Sequence, residues 1–87
     1  MNEKNLKIAV IGGSIMGRRH MKGVDDKDGA ELYAICDSSP EQLDICKKEF
    51  PHVNIAVTDY RELVNIPEID AAVIVTPDIC RLVLEQQ

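Results

Sequence analysis

The sequence predicts an α/β fold, a doubly wound parallel β-sheet. Three observations point there. Four short runs, centred on Ile8–Ile11, Leu32–Cys36, Val53–Val57 and Ala71–Val75, are apolar and rich in β-branched residues. Helical spacing or helix-capping residues separate them, and a glycine pair stands where the first run meets the first helix. Strands that alternate with helices need crossover connections, and these lay the strands parallel with helices over both faces.

Leu6 to Ile11 is compact and apolar, as expected of a strand buried on both faces, and Gly12-Gly13 ends it. From Ile15 to about Val24 the pattern is helical, with Met16, His20 and Val24 on one face at i, i+4 and i+8. Gly23 to Gly29, dense in Asp and Lys, is a solvated loop. Ala30 to Cys36 is a second strand, with Leu32, Ala34 and Cys36 alternating against Tyr33 and Ile35. Ser39-Pro40-Glu41-Gln42 then opens a helix, Ser39 as N-cap and Pro40 at the first helical position. That helix carries Leu43, Cys46 and Phe50 inward and stops at Pro51.

Val53 to Val57 forms a short third strand, and Thr58 or Asp59 caps a brief helix carrying Leu63, Val64 and Ile66 before Pro67 breaks it. Ile69 to Val75 is the fourth strand, and Thr76-Pro77 terminates it. A last helix is expected from Ile79 to Gln87, with Ile79, Leu82 and Val83 on one side.

Composition bounds the function. Eighty-seven residues make one small domain, and a 45% apolar share with 29% charged residues is ordinary for a folded chain. A net charge of -5, with no block of bases, argues against a nucleic-acid partner. Three cysteines without a C-x-x-C pair fit neither a disulfide framework nor a zinc site, so no metal is expected and a reducing, cytoplasmic location is. The longest apolar runs are too short for a membrane span or a signal segment.

The chemistry sits at the first turn. Gly12-Gly13-Ser14-Ile15-Met16-Gly17 lies between strand and helix, where a dinucleotide-binding fold grips pyrophosphate. Gly12 permits the tight turn, Gly17 lets helix and strand pack closely, and Ser14 stands where a second glycine is usual. Serine is small, and the backbone N–H groups of residues 14–17 together with the positive helix end supply an anion site. Asp37 closes the second strand about 20 residues after Gly17, the place of the acid that accepts hydrogen bonds from the adenosine ribose. A carboxylate there repels a 2'-phosphate, so NAD is favoured over NADP, although Ser38, Ser39 and one of Arg18 or Arg19 are near enough to serve a phosphate. The fold is accordingly expected to be Rossmann-like, with about four strands in spatial order 3-2-1-4, incomplete relative to the usual six.

Other candidates read as structural. His20 is expected to pack, His52 to sit in an exposed loop, the cysteines Cys36, Cys46 and Cys80 to act as small hydrophobes, and Asp25, Asp26 and Asp28 to form a solvated loop rather than a metal cluster.

Four motifs together resemble one family. Lys-Ile-Ala-Val-Ile-Gly-Gly-Ser-Ile-Met-Gly-Arg-Arg-His, then Ala-Glu-Leu-Tyr-Ala-Ile-Cys-Asp, Thr-Asp-Tyr-Arg-Glu-Leu and Ile-Asp-Ala-Ala-Val-Ile-Val-Thr-Pro are similar to the N-terminal domain of the Gfo/Idh/MocA oxidoreductases, and cover nearly the whole chain. The resemblance implies hydride transfer between a nicotinamide cofactor and a hydroxyl-bearing carbon of a sugar or cyclitol. It implies that Gly12, Ser14 and Gly17 form the phosphate loop, with Gly13 between them also at the cofactor, that Ile15 and Met16 cover the cofactor, that Asp37 holds the adenosine ribose, and that Thr76-Pro77 lies along the cofactor. Asp78 and Arg81 stand where the family usually has Asn and His, and the Glu-Lys-Pro motif that carries the family's catalytic lysine does not occur.

The expectation is therefore a cofactor half only, residues 1–87, with no catalytic residue and no substrate domain. The alternative expectation is a non-catalytic small protein that senses nucleotide or assembles with a partner. Lacking a fifth strand, the apolar run Ala71–Val75 is also expected to offer an open edge, and copies of the chain are expected to associate through it or through the helix after it.

Overall fold

The computed structural model describes residues 5–75 and 80–84. Its sheet has the order β3-β2-β1-β4-β5. The strands are β1 (Leu6–Ile11), β2 (Ala30–Cys36), β3 (Ile55–Val57), β4 (Ala71–Val75) and β5 (Cys80–Leu84), with helices α1 (Ile15–Asp25) and α2 (Pro40–Glu49) between the first three. β1 to β4 are mutually parallel, in the expected order 3-2-1-4. The α/β Rossmann-like class holds.

Central position explains composition. β1 is paired on both edges, by β2 and β4, and its Ile8, Ala9 and Val10 are buried. A strand covered on both faces has no solvent side to make polar. On one face Val10, Leu32, Ile35 and Val75 meet Met21 of α1 and Leu43, Cys46 and Phe50 at α2. On the other, Ala9, Ala34 and Cys36 meet Leu63 and Ile69. The second face is covered by the crossover from β3 to β4, in which the expected brief helix is one 3₁₀ turn, Tyr60–Leu63, capped by Asp59. Leu63 is buried there, whereas Val64 is exposed.

α2 starts as its residues require. Ser39 Oγ accepts from the Gln42 N–H (3.3 Å) with Pro40 in the first turn.

Three expectations are corrected. The stripe of Met16, His20 and Val24 is not the face that packs: Met16 is 50% exposed, and the buried residues of α1 are Gly17 and Met21, with Val24 packed beside them. Contact at Gly17 requires the helix axis to come close to β1, which turns the inward stripe to 17, 21 and 24. The simple alternation of β2 also fails. The β1–β2 register slips between Ile8 and Ala9, so Ile8 pairs with Leu32 and Ala9 with Ala34, leaving Tyr33 over. This bulge puts Leu32 on the same face as Ile35, opposite Ala34 and Cys36.

The third correction concerns the C-terminal segment. Cys80–Leu84 is not helical but a strand antiparallel to β4, from Val75 against Cys80 to Ala71 against Leu84. The edge of Ala71–Val75 that was expected to be open is paired along its length, so β4 offers no free ladder to a second copy. An apolar strand with unpaired N–H and C=O groups recruits the nearest compatible segment, and here that segment is the chain's own. The rest of the expected helix, Ile79 and residues 85–87, lies outside the described residues, as do Thr76, Pro77 and Asp78 before it.

Candidate functional site

The carboxyl ends of β1, β2, β3 and β4 converge on a cleft of about 380 Å³ lined by Ile11, Gly12, Cys36, Asp37, Ser38, Thr58, Tyr60 and Val75. In open α/β sheets this end carries ligands, because loops there are released from the ladder while the strands hold them rigidly.

The glycine turn is built by close approach. Gly12 has φ +115°, its N–H donates to Cys36 O (2.7 Å), and a Cβ on it would stand 2.2 Å from Val75 O. The turn therefore sits against both neighbouring strands of β1. Gly17 stacks on Gly12, where a Cβ would lie 1.8 Å from Gly12 O. Gly13 is the residue whose demand was not legible. Its N–H donates to Asp37 Oδ2 (2.6 Å), its carbonyl accepts from Arg18 Nη1 (2.7 Å) and Cys46 Sγ (3.5 Å), and a Cβ would meet Cys46 Sγ at 2.8 Å.

Asp37 ties the loops together. Oδ2 takes the Gly13 N–H and Oδ1 takes the Ser39 N–H (2.8 Å), so one carboxylate bridges the β1–α1 turn and the start of α2. A carboxylate has about four lone-pair sites, so two such bonds leave it acceptor capacity toward the cleft. Arg18 points the other way. It bonds Gly13 O and Gln42 Oε1 (3.0 Å) from Nη1 and approaches Glu49 Oε1 at 3.6 Å through Nε, clamping the turn to α2. Arg19 is exposed.

At the start of α1, Ser14 occupies the N-cap position but makes no side-chain capping bond. The first helical bond runs from the Arg18 N–H to Ser14 O (2.8 Å), so the N–H groups of residues 15–17 precede the ladder. No acid sits in that first turn to compete with an anion. Ile15 (69% exposed) and Met16 project from it into solvent. Gly12, Gly13, Ser14, Ile15, Met16, Gly17 and Asp37 are thus gathered at one end of the sheet, whereas Thr76 and Pro77 follow Val75 outside the described residues.

Thr58 and Tyr60, which sequence reasoning did not single out as site residues, line the cleft from the end of β3. The signal was the position after the third strand. Cys36 at the cleft floor has its thiol pushed up to about 11, chiefly by burial and then by the negative charges of Asp37, Asp59 and Glu62. Burial likewise raises the Cys46 thiol, against the lowering effect of Arg18. Neither cysteine is poised as a thiolate. His52 Nε2 pairs with Asp25 Oδ1 (2.6 Å) at the surface. Among the described residues no group of three or more His, Cys, Asp and Glu is arranged to hold a metal ion, and no helix is long and apolar enough to cross a membrane.

The arrangement has the chemistry a dinucleotide needs: glycines at positions 12 and 17 let the turn pack tightly against its neighbours, and N–H groups that precede the helical ladder adjoin a carboxylate at the end of β2. Comparison with known proteins agrees. The chain is similar to scyllo-inositol dehydrogenase from Lactobacillus casei (33% identity, TM-score 0.77, covering 88% of this chain and 23% of that one). It is also similar to myo-inositol 2-dehydrogenase from Lactobacillus plantarum (35%, 0.75, 85% and 22%). A third is myo-inositol dehydrogenase from Lactobacillus casei solved with NAD(H) and myo-inositol (33%, 0.74, 84% and 22%). The chain spans less than a quarter of the length of these solved structures. No curated protein matches it. The family model for oxidoreductases with an NAD-binding Rossmann fold matches residues 6–86, and the chain belongs to that Gfo/Idh/MocA family.

Proposed function

We propose that this chain binds NAD across the carboxyl ends of β1, β2 and β4, as the cofactor-binding unit of an oxidoreductase acting on a sugar or cyclitol hydroxyl. The observation that carries the reading is Asp37, fixed at the cleft rim by the Gly13 and Ser39 N–H groups. The N–H groups of residues 14–17 would hold the pyrophosphate, with Gly12 and Gly17 keeping the turn low enough for it to approach. Ser14 leaves its hydroxyl uncommitted to capping and can donate to a phosphate oxygen. Ile15 and Met16 would lie over the cofactor and screen it from water. Thr76-Pro77 would run along it where the chain leaves β4. When bound, the nicotinamide accepts or donates hydride. In this reading the chain's own residues position the cofactor and none of them transfers a proton.

Asp37 also sets the choice of dinucleotide. In this reading the ribose hydroxyls would fall on its carboxylate, and a 2'-phosphate there would meet a negative charge that Arg18, committed to Gly13, Gln42 and Glu49, does not offset. Like charges about 4 Å apart in a partly exposed site repel by roughly 1 to 4 kcal/mol. Calorimetric titration of the chain with NAD and NADP tests this. NAD is expected to bind at submillimolar concentration and NADP at least about tenfold more weakly, with the gap closing in Asp37→Ser. Equal binding of the two would refute the Asp37 assignment, and no binding of either would refute the cofactor reading.

A further inference from the structure

The cleft continues past Asp37, away from the glycine turn, and its far wall has a chemistry of its own. β3 lies outside β2, and the Asp37 N–H donates to Val57 O (3.2 Å), so the end of β3 stands directly beside the acid. Thr58 and Tyr60 follow that carbonyl and line the same cleft. Tyr60 is 56% exposed, although an aromatic ring normally gains by burial. Its base is nevertheless rigid. Asp59 Oδ1 accepts from the Arg61 N–H and from Arg61 Nε (both 3.0 Å), and its Oδ2 accepts from Nη2 (3.0 Å). Leu63, at the other end of the same turn, is buried in the core. An exposed ring on a doubly anchored turn is a preformed flat surface.

We infer that Tyr60 is a specificity-determining residue that stacks against the adenine base of the dinucleotide. This rests on the cofactor reading above. With pyrophosphate at the β1–α1 turn and the adenosine ribose on Asp37, the base is the next group along the ligand, and the next wall along the sheet is the end of β3. The ring supplies a π-face, and Ser38 and Thr58 supply hydroxyls at the edge of the same cleft. The nicotinamide half runs the opposite way, toward Val75, and does not meet Tyr60.

The chain has two tyrosines, Tyr33 and Tyr60, so the Tyr33→Phe protein carries a single tyrosine ring to observe. With isotope-labelled tyrosine, NAD and AMP are expected to shift the Tyr60 ring signals and give contacts from the ring to the adenine protons, while nicotinamide mononucleotide does neither. In calorimetry, Tyr60→Ala is expected to weaken NAD and AMP about tenfold, and Tyr60→Phe to stay within about twofold of wild type, because stacking needs the ring and not the hydroxyl. AMP binding without ring contacts, or unchanged affinity in Tyr60→Ala, overturns the assignment. An equal loss in Tyr60→Phe overturns stacking in favour of a hydroxyl contact. Failure of NAD and AMP to bind the wild-type chain overturns the cofactor reading and this one with it, and is distinguished from the other outcomes by the absence of heat.

Discussion

Gly17 and Gly23 lie on the same helix, and alanine at each separates what the turn demands from what a helix prefers. Nothing stands within 4 Å of a Cβ at Gly23. Alanine there keeps the fold unchanged and removes backbone freedom from the unfolded chain, so Gly23→Ala should stabilise by about 0.5 to 1 kcal/mol. At Gly17 the same gain is opposed. The new Cβ would sit 1.8 Å from Gly12 O and 2.6 Å from Gly12 C, both main-chain atoms that no rotamer change can move. Either the start of α1 lifts from β1 or the Gly12 turn, already at φ +115° and packed on Val75 O, reorganises.

Overpacking costs about 1 to 3 kcal/mol where side chains can adjust, and a backbone neighbour belongs at the upper end. Net of helix propensity, Gly17→Ala should lose about 1 to 2 kcal/mol. For a domain of this size each kcal/mol moves the thermal midpoint by about 4 to 8 °C. Thermal and urea unfolding followed by circular dichroism should therefore place the two variants on opposite sides of the wild type, with NAD affinity reduced only in Gly17→Ala. If Gly17→Ala matched or exceeded wild-type stability, the close approach of α1 to the glycine turn would be refuted, and with it the argument that the turn's shape depends on glycine.

Arg18→Met should lower the urea midpoint by the equivalent of about 1 to 2 kcal/mol and weaken NAD binding, because Gly13 O and Gln42 Oε1 lose a charged donor while the side chain's volume is kept. Unchanged values in both measurements would show that the clamp on the turn is idle. Cys36 predicts an alkaline loss of stability. Its thiol is raised in the folded state from 9.0 to about 11, so the stabilisation is complete below 9.0 and falls away as pH rises toward 11, when the unfolded chain ionises first. Urea midpoints measured across that interval should decline less steeply in Cys36→Ala than in the wild type. Cys46, shifted in the same direction, leaves the variant a residual decline.

What was legible in the sequence follows from which interactions are local. The apolar runs of β1 and β4 announce strands covered on both faces, and Ser39-Pro40 announces the start of α2, because burial and capping act within a few residues. The inward face of α1 was misread because its key contact is made by an atom that is missing. Gly17 contributes no apolar side chain to a periodic pattern, yet it is where the helix touches the Gly12 turn at the end of β1. The bulge at Tyr33 was hidden for a related reason, since the skipped residue is specified by pairing with β1 and not by anything in β2 alone.

The segment Cys80–Leu84 makes the same point about an edge. Cys-Arg-Leu-Val-Leu fits a helical stripe and a strand equally well, and the free ladder of β4 decides between them. The candidate site divides along this line too. The positions of Gly12, Gly17 and Asp37 at one end of the sheet were readable because a glycine turn and an acid at the end of the next strand have a fixed spacing in sequence. The lock on Gly13 by Asp37, Arg18 and Cys46 was not, because it joins three elements across the fold. The geometry of the turn is therefore specified from α2 as much as from the glycines themselves. A substitution at Cys46 or Gln42, far from the turn in sequence, reaches the N–H groups at the start of α1 through one carbonyl and one guanidinium.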